Sequence, residues 1–293
     1  MKPPTNTVFE TKNSSSFFSA QLLPITQNGG FDMTPTCRVI QGDALEVLRS
    51  FEDDTFGAII TDPPYASGGL YTTDRQAPTS VKYTANKTNN PLPNFEGDSK
   101  DQLSWMLWST AWLREAKRVC KKGSPICIFV DFRQWDALKW AMQWADWTVK
   151  GVIVWDKTEA ARPQLGRFRN QCEFILWGSK GAMSMKRNVP VLKGCYRYQT
   201  LNKDKLHQTQ KPLALMRDIV KIVEPNETIL DPFCGSGTTL IAAQHEGYNA
   251  VGIEVTKEYA AIAQKQITET LNNQTPPTTS PVTNRSSVVG ATA

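Results

Sequence analysis

The chain of 293 residues carries 33 lysines and arginines against 28 acidic residues, a net charge of +5, and is 40% hydrophobic and 21% charged. A chain of this length buries roughly 75% of the surface of its unfolded form, so its core needs no metal or disulfide. Its composition argues against a membrane protein, because no apolar run approaches the roughly 18–20 residues of a spanning helix. The opening residues lack the apolar core of a secretory signal, which predicts a cytoplasmic protein.

The six cysteines and two histidines do not form a metal-binding pattern. No two cysteines are spaced as a CxxC pair, and neither His207 nor His245 lies at zinc-finger spacing from a cysteine. The sequence therefore predicts reduced thiols and no metal site.

Short β-branched runs alternate with helical patterns between residues 37 and 271, which we interpret as one domain. Strands are predicted at Cys37–Gln41, Gly57–Thr61, Pro125–Val130, Gly151–Trp155, Cys172–Trp177, Thr228–Asp231 and Ala250–Ile253. Helices are predicted at Asp43–Ser50, Lys100–Cys120, Phe132–Trp147, Pro212–Val223, Thr238–Glu246 and Lys257–Leu271. This alternation favours an α/β fold with a mostly parallel sheet covered by helices.

Three segments fall outside this alternation. A flexible N-terminal arm is predicted at residues 1–36, which are rich in Ser, Thr, Asn, Pro and Gly and show no sustained period. A disordered tail is predicted at residues 272–293, which cannot bury enough apolar surface to offset the entropy of ordering. Residues 66–99 form the longest internal stretch without a helix or strand pattern, and they directly follow the second predicted strand. Because α/β sheets place ligand crevices at such strand ends, we interpret this stretch as a catalytic-site loop.

The segment Thr61-Asp62-Pro63-Pro64-Tyr65 closes the second predicted strand. Two consecutive prolines fix the backbone and stop the strand, so a carboxylate, a backbone carbonyl and an aromatic ring share one edge of the sheet. Asp62 and the Pro63 carbonyl can both accept hydrogens from an amino group on a planar ring, and Tyr65 can stack on that ring. The structural alternative is a rigid turn with a packed tyrosine.

A glycine-rich turn, residues 231–239, lies between a predicted strand and a predicted helix. Gly235 and Gly237 allow backbone amides to approach a bound molecule at the start of the helix. The turn is not a P-loop, because no lysine follows the glycines. It is not a dinucleotide fingerprint either, because Leu240 stands at the position of the third glycine.

Two further features point to ligands. Glu254 closes the next predicted strand, where an acid can hold the two hydroxyls of a ribose, although in isolation a surface position explains it as well. Residues 180–205 contain seven lysines and arginines but only one aspartate, which suits a loop facing a polyanion or a solvated loop equally.

Together these segments resemble the amino-group DNA methyltransferases that use S-adenosylmethionine. Residues 62–65 match the catalytic DPPY motif, and residues 231–237 match the cofactor-binding DPFxGSG motif. The catalytic motif comes first, as in the circularly permuted β class of that family. Residues 207–212 and 42–45 are similar to two other family segments, although Gln208 replaces the usual proline.

The resemblance implies a Rossmann-like fold with a mostly parallel seven-stranded sheet and helices on both faces. It implies that the target base is held by four catalytic residues, Asp62, Pro63, Pro64 and Tyr65. It implies that S-adenosylmethionine is bound by Asp43, Ala44, Lys211, Asp231, Phe233, Gly235, Gly237, Thr238 and Glu254. DNA contacts are predicted for Arg167, Arg169, Lys186, Arg187, Lys193 and Arg197.

The expected reaction is methylation of the exocyclic N6 amine of adenine in double-stranded DNA, with the base flipped out of the helix. In this family an aspartate at position 62 favours adenine, whereas a serine usually accompanies N4 methylation of cytosine. The target-recognition insert, residues 178–206, spans only 29 residues and predicts a short or relaxed recognition sequence.

Several alternatives are left open by the sequence. RNA is an alternative substrate, and a non-catalytic DNA-binding protein is an alternative class. The helically spaced tryptophans between residues 105 and 147 fit either core packing or a homodimer face.

Overall fold

The structure is a computed structural model that describes residues 35–65, 100–161, 163, 165–200 and 210–274. The predicted catalytic-site loop at 66–99 lies outside the described residues, as do His207, Gln208, most of the predicted arm and all residues after 274. In the part that is described, no helix is long and apolar enough to cross a membrane.

Eight strands and six helices alternate along the described chain. The strands are β1 (Cys37–Gln41), β2 (Ala58–Thr61), β3 (Pro125–Val130), β4 (Thr148–Asp156), β5 (Cys172–Ser179), β6 (Cys195–Arg197), β7 (Thr228–Asp231) and β8 (Asn249–Glu254). The helices are α1 (Ala44–Ser50), α2 (Gln102–Val119), α3 (Trp135–Trp144), α4 (Leu213–Val220), α5 (Thr238–His245) and α6 (Lys257–Gln274). Helix α6 therefore extends three residues into the segment predicted as a tail.

All eight strands form one sheet in the order β1-β8-β7-β2-β3-β5-β4-β6. Strand β5 is antiparallel to both of its neighbours, and every other pair of neighbours is parallel. The prediction of seven strands is wrong, because β6 adds an eighth at one edge. This strand has only three residues, with Cys195 opposite Val154, and no β-branched run marks it.

Alternate residues of the central strands face two separate hydrophobic cores. Ile59 of β2 packs in a core with residues of α1, α2 and α3. Its neighbours Ala58 and Ile60 pack in a second core with residues of α4, α5 and α6. Helices thus cover both faces, as predicted, and the central strands are buried on both sides, which explains their continuous apolar sequences.

This topology brings several motifs to one edge of the sheet. Strands β2, β7 and β8 are adjacent and parallel, so Asp62, Asp231 and Glu254 follow or close three neighbouring strands at the same carboxyl edge. Strand β5 runs in the opposite direction and begins at this edge, which brings Glu173 there as well. A ligand crevice is expected at this edge.

Candidate active site

The DPPY turn is held rigidly by buried side chains of the surrounding helices. Strand β2 is fully buried, and its chain stops at Pro63 and Pro64. The indole of Trp105, on α2, is buried and donates to the Pro64 carbonyl at 2.6 Å. Gln134 donates to the Tyr65 carbonyl at 3.5 Å. The turn is therefore fixed before any substrate arrives.

Asp62 carries one paired and one unpaired carboxylate oxygen. Its Oδ2 atom lies 2.5 Å from the Nζ atom of Lys211. Its Oδ1 atom is buried and has no hydrogen-bond partner among the described residues. Burial raises the pKa of Asp62 to about 6, although the adjacent Lys211 favours the ionised form. An unpaired buried acceptor is costly, so a ligand group that donates to this oxygen would be stabilised here.

Glu173 belongs to the same cluster, although the sequence analysis did not single it out. The Tyr65 hydroxyl donates to its Oε1 atom at 2.7 Å, and the Nζ of Lys211 lies 3.1 Å from that oxygen. Lys157 approaches its other oxygen at 3.8 Å. Burial alone would raise the pKa of Glu173, but the two ammonium groups lower it.

Lys211, predicted as a cofactor residue, lies inside the catalytic cluster. Its side chain is only 7% exposed and bridges the carboxylates of Asp62 and Glu173. The ammonium also lies 5.1 Å from the centre of the Phe129 ring and 6.0 Å from that of Tyr65. Burial lowers the pKa of Lys211, but the two carboxylates outweigh burial and raise it. The lysine is therefore charged at neutral pH.

The glycine-rich turn connects β7 to α5 and is hydrogen-bonded to the end of the catalytic strand β2. Thr61, the last residue of β2, donates to Asp231 at 2.6 Å, and the Phe233 amide donates to the same oxygen at 3.1 Å. Burial raises the pKa of Asp231 to about 6. Gly235 and Gly237 have φ values of 51° and 87°, a region that other residues avoid. The turn therefore needs these two glycines.

Glu254 and Asp43 lie where β8 and the β1–α1 turn meet. The Glu254 carboxylate accepts from the Gly235 amide at 3.0 Å and from the Thr256 amide at 2.8 Å, which leaves further acceptor positions on both oxygens. Burial raises the pKa of Glu254. The Gly42 amide donates to the Glu254 carbonyl at 3.0 Å, so Asp43 follows closely.

Asp43 also has a structural role that the sequence analysis did not assign. Its carboxylate accepts from the amides of Leu45 and Glu46 at 2.9 and 3.1 Å and caps helix α1. Ala44, the first residue of that helix, is buried. The Asp43 side chain is exposed and uses only its Oδ1 atom in these bonds, so Oδ2 is available to a ligand.

A cleft connects the two motifs. Phe233, in the glycine-rich turn, packs against Trp108 and Trp112, with its ring centre 5.3 and 5.2 Å from theirs. The lining combines carboxylates, one ammonium and the backbone of the glycine turn. The cleft is lined by Asp62, Gln210, Lys211, Met216, Asp231, Cys234, Gly235, Ser236, Thr238 and Thr239.

The groups around this cleft fit S-adenosylmethionine. Acceptors for ribose hydroxyls are present on Glu254 and Asp43, and Asp231 offers a carboxylate for an ammonium group. The glycines permit close approach of the backbone to the ligand. In the described part of the chain, no group of three or more His, Cys, Asp and Glu residues could hold a metal ion.

The six predicted DNA-binding residues separate into two sets. Arg169 donates to the carbonyls of Glu159 and Ala161, Arg187 pairs with Glu224 at 2.8 Å, and Arg197 pairs with Glu159 at 2.6 Å. These three side chains therefore have partners within the protein.

The second set consists of Arg167, Lys186 and Lys193. These side chains are exposed and form no ion pair with any residue that the structure describes. Arg167 precedes Phe168, whose fully exposed ring was not singled out by the sequence analysis.

Residues 56–265 match a protein family described as DNA methylase, the N6/N4 methyltransferases, and the chain belongs to this family. Members of the class methylate exocyclic amines of DNA with S-adenosylmethionine, and S-adenosylmethionine is the cofactor of this protein.

Three known proteins illustrate the similarity. The type II methyltransferase M.HinfI of Haemophilus influenzae is 29% identical over 256 residues, which cover 79% of this chain and 68% of that protein. The M1.HpyAVI complex with S-adenosylmethionine is 25% identical with a TM-score of 0.56, and the match covers 79% of this chain and 99% of the other. The cytosine-N4-specific PvuII DNA methyltransferase is 16% identical with a TM-score of 0.57, over 82% and 93% of the two chains, which shows a shared fold.

Proposed function

We propose that this protein methylates the N6 amine of adenine in double-stranded DNA, as a member of the permuted β class. The carrying observation is the buried, unpaired Oδ1 atom of Asp62, beside Tyr65 and at the end of the cofactor cleft. A carboxylate at this point accepts a hydrogen from an exocyclic amine. An adenine target is favoured because aspartate, rather than serine, opens the motif.

The residues of the DPPY turn would make the amine reactive. The nitrogen lone pair is delocalised into the base, which makes the amine a poor nucleophile. Hydrogen bonds from the amine to Asp62 and to the Pro63 carbonyl would favour a tetrahedral nitrogen with a localised lone pair. S-adenosylmethionine supplies an electrophilic methyl group when it is bound. Positioning the nitrogen in line with that methyl group would provide much of the rate.

Cofactor binding would use both sides of the cleft. Glu254 and Asp43 would accept hydrogen bonds from the ribose and adenine end, and Asp231 would face the amino acid end. Gly235 and Gly237 would allow close approach, while Ala44, Phe233 and Thr238 complete the predicted set. Lys211, which is paired with Asp62, would set the charge of the cleft beside the cofactor.

The target base would leave the duplex before it reacts. Flipping costs a few kcal/mol, and stacking on Tyr65 would return roughly 1–3 kcal/mol. Contacts to the DNA backbone must therefore contribute the remainder. We assign these contacts to the exposed side chains of Arg167, Lys186 and Lys193, and a structural role to the three arginines that have partners within the protein.

Sequence specificity is proposed to be short or relaxed. The segment at 178–206 includes the end of β5 and all of β6, so some of its 29 residues are part of the sheet. Few residues are then available to read bases. Sequencing of methylated sites in a bacterial host that expresses the protein tests this proposal. A single long motif methylated to completion would contradict it.

A homodimer is proposed to form through one exposed apolar face. Trp105, Trp112 and Trp147 are buried, whereas Trp140 and Trp144 are 55% and 60% exposed. Leu103, Leu107 and Phe132 are also exposed. Such a patch is typical of an interface. Sedimentation of the wild type against Trp144→Lys tests the proposal, since a dimer that the substitution leaves intact would contradict this face.

The substrate class is tested by label transfer. Purified protein is incubated with methyl-labelled S-adenosylmethionine and either unmethylated duplex DNA or structured RNA. We expect label in DNA, and we expect unlabelled duplex DNA to compete better than RNA. Label confined to RNA, or no label with the cofactor still bound, would contradict the proposal. A DNA substrate would place the activity in the cytoplasm, at the nucleoid.

A further inference from the structure

We propose that Glu173 is a positioning residue for methyl transfer, which orients Tyr65 through its hydroxyl and holds Lys211 between two carboxylates. This inference rests on the function proposed above. The sequence assigned no role to Glu173, which reaches the site through the direction of β5.

The sheet topology places this glutamate at the catalytic edge. Strand β5 is antiparallel to β3 and β4, so its second residue lies at the edge where the neighbouring strands end. Glu173 is paired with Trp155 in the β4–β5 register, one residue before β4 ends. The carboxylate is therefore carried on a strand in the sheet rather than on a loop, which suits a residue that must hold a fixed geometry.

The first action of Glu173 is on the ring of Tyr65. Without a bond to its hydroxyl, a tyrosine ring is held only by packing. Here the hydroxyl donates to Glu173 at 2.7 Å, and the side chain is buried. The bond therefore fixes one end of the ring, while the Trp105 contact with Pro64 fixes the backbone at the other end. A base that stacks on this ring would meet a surface already in place.

The second action is on Lys211. The ammonium lies between Glu173 at 3.1 Å and Asp62 at 2.5 Å. If Glu173 were neutral, Asp62 would be the one carboxylate left to hold the lysine. The position of Lys211 would then depend on the same side chain that accepts the hydrogen bond from the amine. With both carboxylates present, Lys211 stays on the Oδ2 side and Oδ1 is left for the substrate.

Charge balance supports this arrangement. Asp62 and Glu173 face Lys211 and Lys157, so two negative and two positive groups form the cluster. The other titratable groups facing it are Tyr65, Asp131 and Asp231. Glu173 lies close enough to Asp62 for its charge to raise the pKa of that residue. Loss of the Glu173 charge therefore predicts an Asp62 that ionises at lower pH.

The test compares Glu173→Gln with Glu246→Gln. Glu246 is a matched control, since its side chain is 16% exposed against 13% for Glu173, and it pairs with the cations of Arg217 and Lys221 away from the site. We expect Glu173→Gln to lower kcat about tenfold and to move the acid limb of kcat/KM to lower pH. We expect Glu246→Gln to change neither quantity.

A second variant separates positioning from folding. Tyr65→Phe removes the same hydrogen bond from the other side and leaves Glu173 in place. If Glu173 acts through Tyr65, the double variant loses less than the product of the two single losses. An acid limb that does not move in Glu173→Gln, or losses that multiply independently, would overturn the proposal.

The network can also be measured without substrate. In protein with 15N-labelled lysine, we expect the ammonium signal of Lys211 to shift in Glu173→Gln and to keep its wild-type position in Glu246→Gln. An unchanged Lys211 signal in Glu173→Gln would overturn the proposed pairing. Failure of the wild type to methylate DNA would instead contradict the proposed function, and the lysine measurement would still decide the network.

Discussion

The catalytic edge of the sheet and the basic segment, residues 180–205, use charged residues in opposite ways. At the catalytic edge, Asp62, Glu173 and Lys211 are largely buried and paired with one another, and one acceptor atom is left over. In the basic segment, Arg187 and Arg197 form ion pairs with nearby carboxylates, and Lys193 stays exposed without an ion pair in the described chain. A charge in a sequence therefore indicates function only when its neighbours are known.

The largest effect is expected for Asp62→Asn. The substitution keeps the size of the side chain but replaces a charged acceptor, so we expect kcat to fall about 100- to 1000-fold, similar to the loss of one stabilising group in other active sites. Single-turnover transfer at saturating cofactor measures it. Asp146→Asn removes a carboxylate from an exposed ion pair with Lys117 and serves as the control. A loss below about threefold would contradict the assigned role.

Removal of Lys211 should affect stability as well as activity. Lys211→Met leaves two buried carboxylates without their shared cation, which we expect to lower the free energy of unfolding by about 3 kcal/mol at pH 7. Without the lysine the pKa values of both carboxyl groups rise, so protonation at about pH 5 relieves the repulsion and the deficit shrinks. Urea denaturation at both pH values measures the difference. An equal deficit at both would contradict this account.

The pH dependence of the wild type tests the charge state of Asp62. Its pKa is raised to about 6, and only the ionised form keeps Oδ1 available as an acceptor for the amine while Oδ2 stays paired with Lys211. Since kcat/KM reports the free enzyme, we expect it to fall as the pH drops below about 6. Asp231, with a similar pKa, is distinguished because its protonation should change cofactor affinity. A constant kcat/KM from about pH 5 to pH 8 would be incompatible with this charge state.

A smaller effect is expected in the glycine-rich turn. Gly237→Ala introduces a side chain at φ 87°, with its Cβ atom 3.0 Å from that of Ala263. Gly247→Ala introduces the same strain at φ 82°, but its Cβ atom would meet open space. Each should cost about 1–2 kcal/mol of stability, but only Gly237→Ala should weaken cofactor binding. Calorimetric titration with S-adenosylmethionine checks this, and equal affinities in the two variants would contradict it.

The smallest effect distinguishes a DNA contact from a structural charge. Lys193→Ala should lower DNA affinity and reduce the slope of log affinity against log salt by about 1, with unchanged stability. Arg187→Ala should lower stability by about 1 kcal/mol and leave the salt slope unchanged. Fluorescence anisotropy with labelled duplex and thermal unfolding measure both. A changed salt slope in Arg187→Ala and an unchanged slope in Lys193→Ala would contradict both assignments.

Local pattern predicted most of the fold. Strands β1, β3 and β7 have the predicted bounds, because their β-branched runs are bounded by turn residues. Two features of the sheet were not predicted. Strand β6 has three residues and gains its identity from pairing with β4. The antiparallel direction of β5 depends on how the chain returns to the sheet, and the residues of β5 do not indicate that direction.

The site was predictable to the extent that it lies in motifs. Asp62, Asp231 and Glu254 follow neighbouring strands, and the structure brings them to one edge as expected. Glu173 was missed because in a parallel sheet the start of a strand lies at the far edge. An acid directly before the apolar run at 174–177 was the available signal. The sequence could not distinguish the roles of Arg187 and Lys193, because only the fold brings Glu224 next to Arg187.

The central claim is that the Asp62 carboxylate receives the N6 amine of adenine. The most direct measurement is mass spectrometry of nucleosides from duplex DNA methylated with labelled S-adenosylmethionine, by the wild type and by Asp62→Asn. The account predicts labelled N6-methyladenine from the wild type and almost none from the variant. Labelled N4-methylcytosine, or undiminished N6-methyladenine from Asp62→Asn, would contradict it.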